Sequence, residues 1–211
     1  MTWETPKLEL YDKFDPKDFL TALPDDYKQS DKPLIVYVAT DSDLPDVLRK
    51  VTDAEQNVFR DENVALGGKL FRAVRLKGDK INKSHVYWST LGGKELPRAI
   101  VVDAAGQKVG GLEGNDLSAS GLFKLMKKAS ARTFKTDLEK VVKESRSLLD
   151  EMDQVEAKQK VLEERKKTAR QGSEKSIAEE EARLAQQMND IEAREAELLK
   201  RASSDRKVTK N

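Results

Sequence analysis

Apolar residues follow two different rules along this chain. Up to about residue 132 they come in short unbroken runs. Beyond it they recur singly, every seventh position. Leu34–Ala39 (LIVYVA) and Arg98–Val102 (RAIVV) show no polar alternation, which predicts strands buried on both faces. Ala104, Ala105 and Gly106 supply a tight turn after the second run, and Gln107–Leu112 reads as the returning strand. Pro97 stands just before Arg98, where a missing N–H does least harm. Leu70–Leu76 predicts one more strand, ended by Gly78 and Asp79.

Helical spacing separates these runs. Asp43 is the expected cap of a helix with Pro45 in its first turn and Val47, Leu48, Val51, Ala54 and Val58 along it. Asp61–Leu66 predicts a short helical turn closed by Gly67 and Gly68. Ser84–Leu91 reads as helical or irregular. Ser118 or Ser120 caps a helix carrying Leu122, Leu125, Met126 and Ala129. No breaker interrupts Lys124–Ala131, so this helix is expected to run straight on into the region beyond. Residues 1–32 form an N-terminal arm, in which Asp15-Pro16 before Phe19, Leu20 and Leu23 predicts a short helix.

From Phe134 the heptad rule takes over with Phe134, Val141, Leu148, Val155, Leu162 and Ala169. The companion seam positions Leu138, Ser145, Met152, Gln159 and Lys166 are less apolar. A second series, Ile177, Leu184, Ile191 and Leu198, is offset from the first by one residue. Between the two lie Gly172, which suits a helix end, and Ser173, which suits the next cap. The series mirror each other about this break: Ala169 falls with Ile177, Leu162 with Leu184, Val155 with Ile191 and Leu148 with Leu198. That symmetry predicts an antiparallel helical hairpin, with Lys166 near Glu181 and Gln159 near Met188. Each arm is about 45 Å long at ~1.5 Å per residue. A continuous dimerising helix is the competing form, and the slip at Gly172 argues against it. The expected divisions are an arm at 1–32, an α/β domain at 33–132, a hairpin at 133–203 turning at 170–173, and a frayed tail at 204–211.

Composition sharpens this division. Charged residues make up 36% and hydrophobic ones 37%, too polar for one compact globule. Lys plus Arg number 39 and Asp plus Glu 38, so the chain lacks the basic excess of a non-specific nucleic-acid binder, and no nucleic-acid partner is expected. With no cysteine, disulfides, thiolate metal sites and thiol redox chemistry are excluded. No apolar run approaches the roughly 18 residues of a membrane span. Met1–Leu10 has no apolar h-region, so no signal peptide is expected at this start, although a leader removed earlier would leave no trace.

Residues 30–130 resemble the thioredoxin fold. The resemblance rests on LIVYVAT followed by a capped helix, then ELPRAIVVD, GQKVGGLEG and the SASGLFKLMKK helix. It implies that Pro97 is cis and faces the turn where the family carries its CxxC. Here that turn reads ATDSDLPD, without cysteine. The resemblance therefore implies the fold and a groove formed by Asp41, Ser42, Asp43, Pro45 and Pro97, but not the activity.

Other chemistry has weak support in the residues. Ser42 lies near a helix start, and as a nucleophile it needs a base. His85 is the only histidine, and nothing sets it nearby. Asp41 and Asp43 fit caps better than a cation site. His85 with Tyr87 and Trp88 fits sheet packing better than a partner patch. Gly67-Gly68, Gly92-Gly93 and Gly110-Gly111 form no phosphate loop. Lys124, Lys127 and Lys128, and the Arg206, Lys207 and Lys210 tail, read as solvated charge. No cofactor or metal is expected. The reading that follows is a non-catalytic interaction module whose hairpin binds a protein partner. The alternatives are a self-assembling structural part and a same-fold enzyme using non-cysteine chemistry.

Overall fold

The computed structural model describes residues 1–4, 31–40, 44–77, 94–168 and 174–205. The expected N-terminal helix, the Ser84–Leu91 segment and the 170–173 turn lie outside them. Among the described residues the protein is α/β, with a four-stranded mixed sheet and five helices, two of them long and C-terminal.

The sheet is built from β1 (Leu34–Ala39), β2 (Arg72–Lys77), β3 (Arg98–Val102) and β4 (Lys108–Glu113), in the order β2-β1-β3-β4. β1 pairs parallel with β2 and antiparallel with β3, and β3 pairs antiparallel with β4. The two unalternating runs are the two central strands. All six residues of β1 are buried, and Ala99–Val102 of β3 are sealed from solvent. Parallel pairing of β1 with β2 requires a crossover, and the helical stretch between them supplies it. β4 is an edge strand, half exposed along its length. Gly110 lets the helix pack closely over it: a Cβ there would lie 2.7 Å from Leu125 Cδ2 and would require that leucine to shift.

Helix α1 (Pro45–Asp53) continues through one π turn, Ala54–Val58, with Phe59 N–H donating to the Ala54 carbonyl at 3.0 Å. Its N-cap position is Leu44, which offers no side-chain cap. Helix α2 (Glu62–Gly67) opens on Asp61, whose carboxylate accepts the Val64 N–H at 3.2 Å. Helix α3 (Ala119–Thr133) opens on Ser118, which accepts the Gly121 N–H at 3.4 Å and is thus the cap of the two candidate serines. Leu122 and Met126 of α3 are fully buried.

The expected continuation of α3 does not occur. It ends at Thr133, Phe134 is extended, and α4 (Leu138–Thr168) begins afresh. Two local signals explain the break. The Phe134 ring is buried, worth about 2–3 kcal/mol, against about 1 kcal/mol for each helical hydrogen bond given up. Asp137 then accepts the Glu139 N–H at 3.0 Å, the geometry of an N-cap. Phe134 therefore belongs to the globular core and is not the first residue of the heptad seam.

The last helix is α5 (Glu174–Ser204). The chain forms two compact units: one holds Met1–Glu139 and the chain from Ala202 onward, the other Lys140–Arg201. No helix among the described residues is long and apolar enough to cross a membrane.

Candidate functional site

Within the globular unit, the expected groove centres on Pro97. The Leu96–Pro97 peptide bond is cis, the state the resemblance implied for it. Pro97 is buried, and its carbonyl accepts the Gly114 N–H at 2.9 Å, continuing the β3–β4 ladder by one residue. Glu113 accepts the Lys94 N–H at 3.1 Å and lies 3.5 Å from Arg98 Nη1. Glu95 meets Lys50 of α1 at 3.2 Å and so ties that helix to the segment entering Pro97. The charges around Pro97 are thus paired ions. Pro45 is exposed at the first turn of α1. Asp41, Ser42 and Asp43, on which any nucleophile or cation reading depends, lie outside the described residues, as do His85, Tyr87 and Trp88.

Leu48 was expected in the core with Val51. It is exposed instead, with Leu44 one turn before it. The buried row of this helical stretch is Val51, Ala54 and Val58, at its C-terminal part. The first turn reaches beyond it and leaves Leu44 and Leu48 on one face. Elsewhere, Lys127 pairs with Glu139, so the Lys124–Lys128 patch is partly neutralised. Among the described residues no His, Asp or Glu cluster could hold a metal ion.

The helical unit is built on the two heptad series. Val141, Leu148, Val155 and Leu162 of α4, and Ile177, Leu184, Ile191 and Leu198 of α5, are all buried. Ala169 lies outside the described residues. The companion positions form a poorer layer: Met152, Gln159, Glu181 and Met188 are half-buried, and Lys166 is exposed. Four ion pairs join the helices. Arg201 meets Glu144 at 2.9 Å, Arg194 meets Glu151 at 2.6 Å, Arg165 meets Glu180 at 3.5 Å, and Lys166 pairs with Glu181. The three arginine pairs run in reverse order along the two sequences, Glu144, Glu151 and Arg165 meeting Arg201, Arg194 and Glu180, and Lys166–Glu181 stands beside the last of them. Arg194 grips Glu151 with both terminal nitrogens, and that hydrogen bond, then the carboxylate charge, holds its guanidinium above its ordinary pKa.

Three of these pairs, Glu144–Arg201, Glu151–Arg194 and Arg165–Glu180, fall at the heptad position just before the companion seam, so they line one flank. The other flank differs. It carries Leu149, Glu156 and Glu163 on α4, and Ala185, Glu192 and Leu199 on α5. Extended to this flank, the register of the arginine pairs puts Glu156 and Glu192 at corresponding positions. A cleft of about 320 Å³ opens there, lined by Gln159, Leu162, Glu163, Glu181 and Ala185.

Charge is also segregated along the unit. In residues 149–157 the charged groups are Asp150, Glu151, Asp153 and Glu156. In the facing 189–197 they are Asp190, Glu192, Glu195 and Glu197, with Arg194 as the only cation. This acidic belt is hidden in a chain whose total charge is +1. Sequence reasoning missed it because it weighed totals. It also missed the difference between the flanks, which appears once the register is applied to the positions beside the seam. Compared with known families and with curated proteins, the sequence matches no family model and no curated relative.

Proposed function

We propose that this protein is a non-catalytic, thioredoxin-like interaction module whose α4 and α5 form an antiparallel coiled-coil hairpin that binds a protein partner. The observation that carries the reading is the reversed order of three ion pairs, Glu144–Arg201, Glu151–Arg194 and Arg165–Glu180, over a buried heptad seam. Such order fits two helices folded back on each other. The mixed sheet with β1 and β3 central, and the proline before β3, support the thioredoxin-like part. The absence of cysteine in the whole chain argues against the family's redox chemistry.

Size supports binding as the task of the helices. A pair about 45 Å long and two helix diameters, about 20 Å, wide presents a face of roughly 900 Å². A standard protein interface takes about 800 Å² from each partner, so one face suffices. Self-assembly is the second reading. It is favoured by the half-buried polar layer at Gln159 and Glu181, which leaves the pair a thin core of its own.

A photo-crosslinking side chain in the full-length protein tests the proposal. It is placed at Val161 of α4 or Ala185 of α5, exposed on opposite flanks of the helical unit, or at Leu48, exposed on α1. In extract from the native source, a position on the helical unit is expected to give a discrete adduct with another protein and Leu48 none. An adduct from Leu48 alone moves the binding surface to the Pro97 side, and helical-unit adducts made only with a second copy favour assembly.

A further inference from the structure

We propose that the flank of the helical unit without ion pairs among the described residues, along Leu149, Glu156 and Glu163 of α4 and Ala185, Glu192 and Leu199 of α5, is the docking face for a basic amphipathic helix of the partner. The inference rests on the proposed interaction role and adds the face and the chemistry of its occupant.

The two flanks of one pair of helices are unequally finished. On one, three ion pairs bridge the helices beside a cleft of about 290 Å³ that Glu144, Arg194 and Arg201 help to line. On the other, Glu156, Glu163 and Glu192 form no ion pair among the described residues, and the register of the arginine pairs sets Glu156 and Glu192 at corresponding positions. Like charges facing across a helical pair destabilise it, so this flank is not arranged for the pair's own stability. Leu149 and Leu199 are half-buried beside it, and Ala185 leaves the cleft under Glu163. Apolar footholds within an acidic field suit a helix with an apolar stripe bordered by lysine or arginine. A second copy meeting this face through its own counterpart would set carboxylates against carboxylates in the acidic belt, which disfavours self-association here.

The probe is a fluorescent leucine–lysine amphipathic helical peptide about three heptads long, titrated into the full chain at about 0.15 M ionic strength, where distant charges are screened. Two variants of equal charge change are compared: Glu156→Lys with Glu192→Lys on the docking flank, and Glu164→Lys with Glu179→Lys on the outermost positions. The first replaces one like-charge contact by another, so helix pairing is not the variable; Glu156→Gln with Glu192→Gln serves if the lysine pair loses helicity. Binding is expected to weaken at least about ten-fold in the first variant, several-fold in the glutamine variant, and less than two-fold in the second. Equal weakening by both lysine variants would mean bulk charge attraction and would overturn the proposal. So would absence of binding to the unmodified chain, or a flank variant that changes the chain's own sedimentation while leaving peptide affinity intact. The interaction role is judged separately by the crosslinks: a partner captured from Val161 and not from Ala185 leaves the role standing and removes this face.

Discussion

Asp103 lies buried at the β3–β4 turn, with Oδ1 accepting the N–H groups of Ala105 and Gln107 at 3.1 and 2.9 Å and Oδ2 facing Arg132 at 3.3 Å. The turn was legible from Ala104–Gly106, and Gly106 takes a positive φ of 84° in it. The aspartate that fastens it was not, because one acid after an apolar strand looks the same whether it is solvated or buried. Asp103→Ala orphans two N–H groups and should cost about 2–3 kcal/mol. Asp103→Asn keeps the Oδ1 acceptor and should cost about half that; denaturant unfolding separates them, and equal costs would mean the Arg132 contact dominates. Tyr37 offers a second check. It is buried against Trp3 and Phe59, and its hydroxyl has no hydrogen-bond partner among the described residues. Burial, then the charge of Glu55, pushes its pKa well above the ordinary 10.0, with Arg75 opposing. The folded phenol stays protonated where the unfolded one ionises, so its contribution is intact below pH 10 and is lost as the pH rises beyond it. Tyr37→Phe should flatten the alkaline fall in stability and cost nothing near neutrality, because it removes a buried hydroxyl without a partner.

Among elements, the periodic ones were the most legible. β1 has the bounds its apolar run predicted, and each described residue of the main heptad series is buried. The neighbours Lys166 and Glu181, expected from mirror symmetry alone, form an ion pair. Periodicity encodes a face directly, whereas ends depend on single contacts. That is why the α3–α4 break at Phe134 and the capping role of Asp137 escaped a pattern search. The companion layer gives the testable consequence. Gln159 is half-buried at a seam position expected to face Met188. Gln159→Leu should stabilise the helical unit by about 1 kcal/mol, seen as a higher melting midpoint by helical circular dichroism. A lower midpoint would mean that Gln159 is held in a polar network rather than tolerated in an apolar layer.

At the scale of the whole chain, composition points to a globule and a solvated extension, and the residues cluster into two compact units, Met1–Glu139 with the chain from Ala202 onward, and Lys140–Arg201. Charge totals concealed the acidic belt, because neighbouring lysine-rich turns cancel it in the sum. The chain leaves the globular unit after Glu139 and re-enters it at Ala202. There the Lys135 N–H donates to the Asp205 carbonyl at 2.8 Å, and the Lys135 ammonium lies 3.1 Å from the Asp205 carboxylate. The account depends on α4 and α5 closing on each other within one molecule, so that their outer faces remain open to a partner. A chain without native cysteines allows a direct measurement: Leu162→Cys with Leu184→Cys, oxidised at low concentration and run without reductant. A crosslink within single chains, at monomer mass and with helicity retained, is the predicted result. Crosslinks found only between chains would contradict it and assign the seam to an assembly of copies.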